Sequence, residues 1–434
     1  MDEPAPEPCS RSGCATVIDR LDVHIELDGH TVQAGTAYFT QRRGGDVGCT
    51  FIYAAMYLAH TRAIPIDPNL PLTSGQQPSD RIPGAFQDCA PDRWGRNLVL
   101  KRYRSLDSQH AGRARALNDV DFLVGVSDLT RQGALRFTMP DSGTFVDENV
   151  DIPKLIALPK LLHAVDQLDD DADNQAAIKA LLDAGSGSLG GARPKASILG
   201  DDERLLLAKF PHRTDEWDIM AWEKTALDIA ERAGIDVPPR FLVGFDHRHV
   251  LMVERFDRVD GRRLPFISAM TLTNSRNGDD HDYADIAAHI PDFGSRVDND
   301  LAQLFRRVAL SSALHNTDDH LRNHGFLAGP AGWRLSPVFD INPNPNLNEE
   351  RVTSIGAASR AADEASGLMM LASECRLSEG DARRIVAEVL EATAAWPDIA
   401  MSNGIHRREQ DRFRPMFTSR AEELGKIVGS ARTS

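Results

Sequence analysis

The sequence predicts an α+β chain with a mixed, β-rich amino-terminal part and an all-helical carboxy-terminal part. Three observations carry this reading. Residues 21–40, LDVHIELDGHTVQAGTAYFT, alternate apolar and polar side chains around Asp28-Gly29, the dipeptide that a two-residue hairpin turn favours. Between Ser186 and Arg258 a glycine-rich loop, the apolar segment RLLLAKF, a helical stretch and two apolar runs around a polar turn follow one another. Beyond about Pro265 the spacing becomes helical, with Leu301, Leu304, Phe305 and Val308 on one face.

Taken in order, residues 1–18 are acidic, Pro-rich and read as a disordered tail, and residues 19–106 form a first, β-containing unit. A Pro- and Gly-containing stretch over residues 64–83 leads into GAFQDCAPDRWGRNLVLKRYR, whose later half has helical spacing. From there to about Ala184 the pattern reads as helices, with DQLDDDADNQ as a solvated loop or helix edge. A second unit covers residues 107–262 and a helical unit residues 263–434. Gly234 is placed to end the helix of WDIMAWEKTALDIAERAG, and Ser378 with Asp381 three residues later marks a helix start.

Bulk properties narrow the function classes. At 434 residues the chain is long enough to bury more than one core, and 41% hydrophobic with 26% charged residues is ordinary for soluble domains. No apolar run reaches membrane-spanning length, and the start lacks the basic flank and apolar stretch of a secretory signal, so cytoplasmic residence is expected. Five scattered cysteines do not form a disulfide framework. Cys9 and Cys14 have no second ligand pair at zinc spacing. A net charge of -15 argues against wrapping nucleic acid with the whole surface.

Four groups of residues could carry chemistry. GSGSLGGARPKAS, residues 185–197, packs glycines before a strand, where backbone N–H groups can approach phosphates and Lys195 can add charge. It matches neither the P-loop spacing nor the dinucleotide fingerprint, and its composition alone also suits a linker. Lys209 ends an apolar strand and needs a partner if buried; Glu223, near the start of the following helix, is available. In HNTDDHLRNHGFL, residues 315–327, Asp318 precedes Asn323 by five positions in a loop between helix and strand, the spacing of a kinase catalytic loop. The histidines at 315, 320 and 324 do not have HExxH spacing. Asp340 in SPVFDINPNP follows an apolar segment expected to be a short strand, where kinases place a magnesium ligand.

SLGGARPKA, LLLAKFP, LMVERFDR, NTDDHLRNHGF and SPVFDI resemble the successive motifs of the HipA-like serine/threonine protein kinase toxins of type II toxin–antitoxin systems, over roughly residues 185–342. IPGAFQDCAPDRWGR and the β region before it also resemble that family's front domain. The resemblance implies a bilobal protein-kinase-like fold, with residues 107–262 holding the Gly-rich loop and hinge and residues 263–434 the helical lobe. It implies Asp318 as catalytic base, Asn323 and Asp340 as Mg2+ ligands, and Lys209 on the phosphates with Glu223 as its ion-pair partner. ATP contacts are further implied for Gly190, Gly191, Ala192, Arg193, Pro194, Lys195, Glu254, Arg255, Phe256, His320, Leu321, Arg322 and Phe339. Ser188 matches the serine such kinases autophosphorylate, with Ser186 as a competitor. A small helix-turn-helix antitoxin that brings the complex to DNA is implied, together with a translation-related substrate such as an aminoacyl-tRNA synthetase. A catalytically silent nucleotide-binding co-repressor and a small-molecule kinase are the alternative readings.

Overall fold

The computed structural model describes residues 18–42, 46–108, 116–147, 152–186, 193–329 and 331–429. Its first sheet starts with β1 (Arg20–Leu27) and β2 (His30–Gln41), joined by Asp28 and Gly29 at φ 53° and 82°. Two consecutive left-handed residues make a type I′ turn, whose twist matches that of the flanking strands. β3 (Val47–Tyr53) and β4 (Gln77–Ser79) extend the sheet on the β2 side. Leu21, Val23, Ile25 and Phe51 are buried, and Phe86 of α1 (Gly84–Asp88) meets Phe51 and Phe137 edge-on. After α2 (Arg93–Ser108), the strand β5 (Leu135–Thr138) pairs antiparallel with β1, which puts Ile25 opposite Leu135. The order is β4-β3-β2-β1-β5.

β5 corrects the expectation of helices from the end of the first unit to Ala184. Its four residues are too few to display a period, and their pairing is completed by an edge more than a hundred residues earlier in the chain. The first sheet thus draws on the stretch assigned to residues 107–262.

The second sheet is preceded by α3 (Leu158–Asp170) and α4 (Gln175–Asp183). It is built from β6 (Lys195–Leu199) and β7 (Leu205–Lys209), then, after α5 (Ile219–Arg232), from β8 (Arg240–Phe245) and β9 (Arg248–Glu254), in the antiparallel order β6-β7-β9-β8. Successive residues of a strand face opposite sides. Ala196, Ile198, Leu206, Ala208, Val250 and Met252 accordingly pack against the apolar faces of α3 and α4, while Leu251 and Val253 pack on Met220 of α5. Gly234, at φ 74°, ends α5 as its position predicted.

Beyond β9 the chain is mostly helical. A small sheet of β10 (Phe266–Ser268), β11 (Gly325–Gly329) and β12 (Gly332–Leu335) flanks α6 (Tyr283–Phe293) and α7 (Val297–Ala313). Leu301, Leu304, Phe305 and Val308 of α7 are fully buried, and α8 (Glu364–Glu374), α9 (Glu379–Ala394), α10 (Trp396–Ser402) and α11 (Arg407–Gly429) complete the helical region. Ser378 Oγ accepts the Asp381 N–H at 3.1 Å and caps α9. Trp222 of α5 stacks on Phe413 of α11 with ring centroids 3.8 Å apart, which locks the helix behind the second sheet to the helical region. Among the described residues no helix is long and apolar enough to cross a membrane.

Candidate active site

The site begins with the register of β6 and β7, which places Lys195 directly opposite Lys209. Like charges facing one another across a strand pair are unfavourable, so both ammonium groups need carboxylates. Lys209 Nζ donates to Glu223 Oε1 at 2.5 Å and to Asp340 Oδ1 at 2.8 Å, and Lys195 Nζ donates to Asp92 Oδ2 at 2.7 Å. Glu223 reaches Lys209 because it lies one turn into α5, after the Asp218 side chain caps the helix by accepting the Ala221 N–H at 3.0 Å. Burial opposes charge on Lys209, but Asp340 and Glu223 outweigh it and raise its pKa. Burial likewise opposes ionisation of Asp340, and Lys209 and Lys195 outweigh it, so that carboxyl lies below its ordinary value. Glu223 is pushed up by burial and drawn back by Lys209. The arrangement is a buried cluster in which one ammonium bridges two carboxyl groups.

Asp340 reaches Lys209 through an unusual backbone. Residues 336–340 are irregular, not the strand expected before Asp340, since β12 stops at Leu335 and Pro337 has no N–H to give to a ladder. The Val338 N–H instead donates to Asp236 O at 2.8 Å, and Asp340 itself adopts φ 60°, a left-handed conformation that Asp tolerates better than most residues. Phe339 packs against Phe256 with centroids 5.5 Å apart.

The loop after α7 carries the other carboxylate. Asp318 is the one exposed residue between Ser311 and Ala328. Its neighbours hold it in place: the Asn323 side chain donates to Asp318 O at 3.3 Å, and Asp319 takes the Tyr283 hydroxyl at 2.6 Å and lies 3.1 Å from His324 Nε2. Burial opposes the charge of Asp319, but His324 and Tyr283 hold its carboxyl well below the usual range. Asp318 moves the other way. Partial burial pushes its carboxyl up, Asp340, Asp319 and Glu349 add to the push, and His320 opposes it. Asp340 therefore links Asp318 to the cluster of Lys195, Lys209 and Glu223.

Other candidates point elsewhere. Arg193 makes two 2.8 Å bonds to Asp215, and Arg322 donates to Asn277 Oδ1 at 2.9 Å. Arg255 is buried on Asp257 and the carbonyls of Thr130 and Arg131, so its guanidinium does not enter the cluster. Glu254 pairs with Arg204 at 2.7 Å. Leu321 is buried, and Pro194 O accepts the Phe210 N–H at 3.0 Å. Ser186 is buried with its hydroxyl on Lys195 O. Ser188, Gly190, Gly191 and Ala192 lie outside the described residues, as do Cys9 and Cys14. Sequence reasoning missed Asp92. Its signal was an Asp three residues before Gly95 at the start of a helical stretch, which reads as a cap and nothing more.

The donor set suits a hard cation shared with phosphate oxygens. Asp318, Asn323 and Asp340 offer oxygen ligands, and the Oδ1 atom of nearby Asn342 is buried with no partner. No group of three His, Cys, Asp or Glu among the described residues is placed to hold a metal alone. A magnesium ion that takes most of its ligands from water and phosphate requires no such group.

The HipA N-terminal domain family matches residues 30–122, and the HipA-like C-terminal domain family matches residues 187–396. A curated relative from Haemophilus influenzae, described as a putative kinase, is 28% identical over 193 residues, 37% of this chain. The match covers 54% of that relative, so the chain spans about half the length of the curated relative it matches. The fold is similar to that of HipA from Shewanella oneidensis MR-1, solved as a complex of HipA, HipB and operator DNA, with a TM-score of 0.67, 13% identity, and coverage of 94% of this chain and 97% of that one. With both family domains present in order and this fold across nearly its whole length, the chain belongs to the HipA-like family.

Proposed function

We propose that this chain is an ATP- and Mg2+-dependent serine/threonine protein kinase and acts as the toxin of a toxin–antitoxin pair. The observation that carries the reading is Lys209, bound at once to Glu223 of α5 and to Asp340, with the exposed Asp318 in the same field. Phosphoryl transfer requires charge neutralisation and positioning more than covalent chemistry. Lys209 would meet the phosphates, Asn323 and Asp340 would hold magnesium, and Phe256 and Phe339, packed on each other, would contact the nucleotide from one side. The bound metal supplies neutralisation of the transferred group's oxygens. Asp318 takes the hydroxyl proton of the substrate side chain and orients its oxygen. Residues 107–262 and 263–434 then act as the two lobes of a kinase around the nucleotide.

The protein substrate is translation-related, such as an aminoacyl-tRNA synthetase, and Ser188 is the self-modification site. The partner is a small helix-turn-helix antitoxin through which the complex reaches DNA, and the compartment is the cytoplasm. Likeness to a HipA solved with HipB and operator DNA supports the partner assignment.

A labelled-ATP assay with a cell extract tests the reading. Label should enter protein serine or threonine, and Asp318→Ala should reduce transfer by about 100-fold or more, the scale of a lost general base. Label recovered only in small metabolites would make the chain a small-molecule kinase. Nucleotide binding without turnover would make it a silent co-repressor subunit.

A further inference from the structure

Asp92 is absent from every role assigned above, yet its carboxylate is joined to the cluster. Oδ1 accepts the Gly95 N–H at 2.6 Å and caps α2, while Oδ2 accepts from Lys195 Nζ at 2.7 Å across 103 positions of chain. Both side chains are nearly enclosed, 3% exposed for Lys195 and 7% for Asp92. Because β6 and β7 set Lys195 opposite Lys209, the two ammonium groups open on the same face of the sheet. Glu223 and Asp340 both lie in the field of Lys195, and Asp92 lies in that of Asp340.

We propose that Asp92 competes with nucleotide phosphate for Lys195, so that the amino-terminal domain restrains nucleotide binding at the second sheet. The inference rests on the nucleotide reading of the site. An ammonium group has three donors but one charge, and a carboxylate at contact distance neutralises most of the attraction that an arriving phosphate would feel. The phosphate meets this opposition whether Lys195 swings away from Asp92 or bridges the two anions. Asp92 stands at the first turn of α2, within the region matched by the HipA N-terminal domain family. Nucleotide occupancy and the seating of α2 are consequently linked, and linkage is reciprocal: whatever displaces α2 strengthens nucleotide binding, and nucleotide loosens the hold of β6 on α2.

Asp92→Asn separates the two roles of the residue, since the amide oxygen keeps the cap and only the charge is lost. ATP binding to the full chain in Mg2+ is measured by calorimetry for the wild type, Asp92→Asn, Lys195→Met and the double variant. Asp92→Asn should bind ATP at least about 5-fold tighter, the low end of ordinary coupling between sites. In the Lys195→Met background the same change should have no effect, which a merely structural role for Asp92 would not produce. Asp92→Ser, which also keeps an oxygen for the cap, replaces Asn if that variant fails to fold. Equal or weaker ATP binding by Asp92→Asn, with the wild type binding normally, overturns this inference alone. A wild-type chain that binds no ATP removes the nucleotide reading and this inference together.

Discussion

In the proposed mechanism Asp318 is the base, and its protonation is set by its neighbours. A base that must be ionised to accept a proton loses activity as pH falls through its folded pKa. Burial raises that pKa above the ordinary carboxylate value, and Asp340, Asp319 and Glu349 raise it further, while His320 pulls it back. The acid limb of the pH–rate profile should therefore lie above the pH at which a solvated Asp titrates, about 3.9. His320→Gln removes the opposing influence, so its acid limb should move to still higher pH with the alkaline limb unmoved. Initial rates of labelled phosphoryl transfer across pH 4–9 would show it, and an unmoved or lowered acid limb would mean that His320 does not act on Asp318.

At the scale of elements, the loop that carries Asp318 is held by helices distant in sequence. Glu364, at the start of α8, accepts from Arg351 Nε at 2.8 Å, from Arg420 Nη2 of α11 at 2.6 Å and from Ser312 Oγ of α7 at 2.5 Å. Arg351 also donates to the Tyr283 hydroxyl at 3.2 Å, and Tyr283 holds Asp319 beside Asp318. Glu364→Ala leaves two buried guanidinium groups uncompensated, so it should destabilise the helical region by about 3–5 kcal/mol. Trp222 and Trp396, which pack on α11 residues Phe413 and Phe417, report that transition by fluorescence in urea. A midpoint unchanged from wild type would show that the network contributes nothing. None of this was legible in the sequence, whereas the Asp28-Gly29 hairpin, the Gly234 stop and the Ser378 cap were. Those three are local, written within two to four residues, and so leave a pattern. The Lys209–Glu223 pair was legible only because the order of motifs brought separate hints together, and the bond of Asp340 to Lys209 was not read from it. β5 and Asp92 are defined by partners more than 100 positions away and Glu364 by partners 13, 52 and 56 positions away, and no periodicity records such a pairing.

Across the whole molecule, one buried carboxylate joins the first sheet to the segment that follows β9, beside the site. Asp257 accepts Arg255 Nε at 2.9 Å and Nη2 at 2.6 Å, Arg258 Nη1 at 2.8 Å and the Gly133 N–H at 2.7 Å. The two arginines in turn donate to the carbonyls of Thr130 and Arg131, just before β5, at 2.6 Å each. Phe256, held between these residues, packs on Phe339 next to Asp340, so the joint between the domains also shapes the site. Burial opposes the charge of Asp257, but Arg255 and Arg258 outweigh it and depress its pKa well below the usual range. A depressed carboxylate contributes stability that is fully present above its unfolded pKa, about 3.9, and is lost as pH falls through the lower folded value. Asp257→Asn removes the charge and leaves two enclosed guanidinium groups, which should cost about 3–5 kcal/mol at neutral pH. The gap between wild type and variant should narrow as pH falls below about 4, because the wild type then begins to lose the same interaction. Denaturant unfolding of both proteins at a series of pH values from 7 to 2.5 measures that gap. A gap that stays constant over the whole range would show that the ionised Asp257 is not what fastens the first sheet to the segment that follows β9.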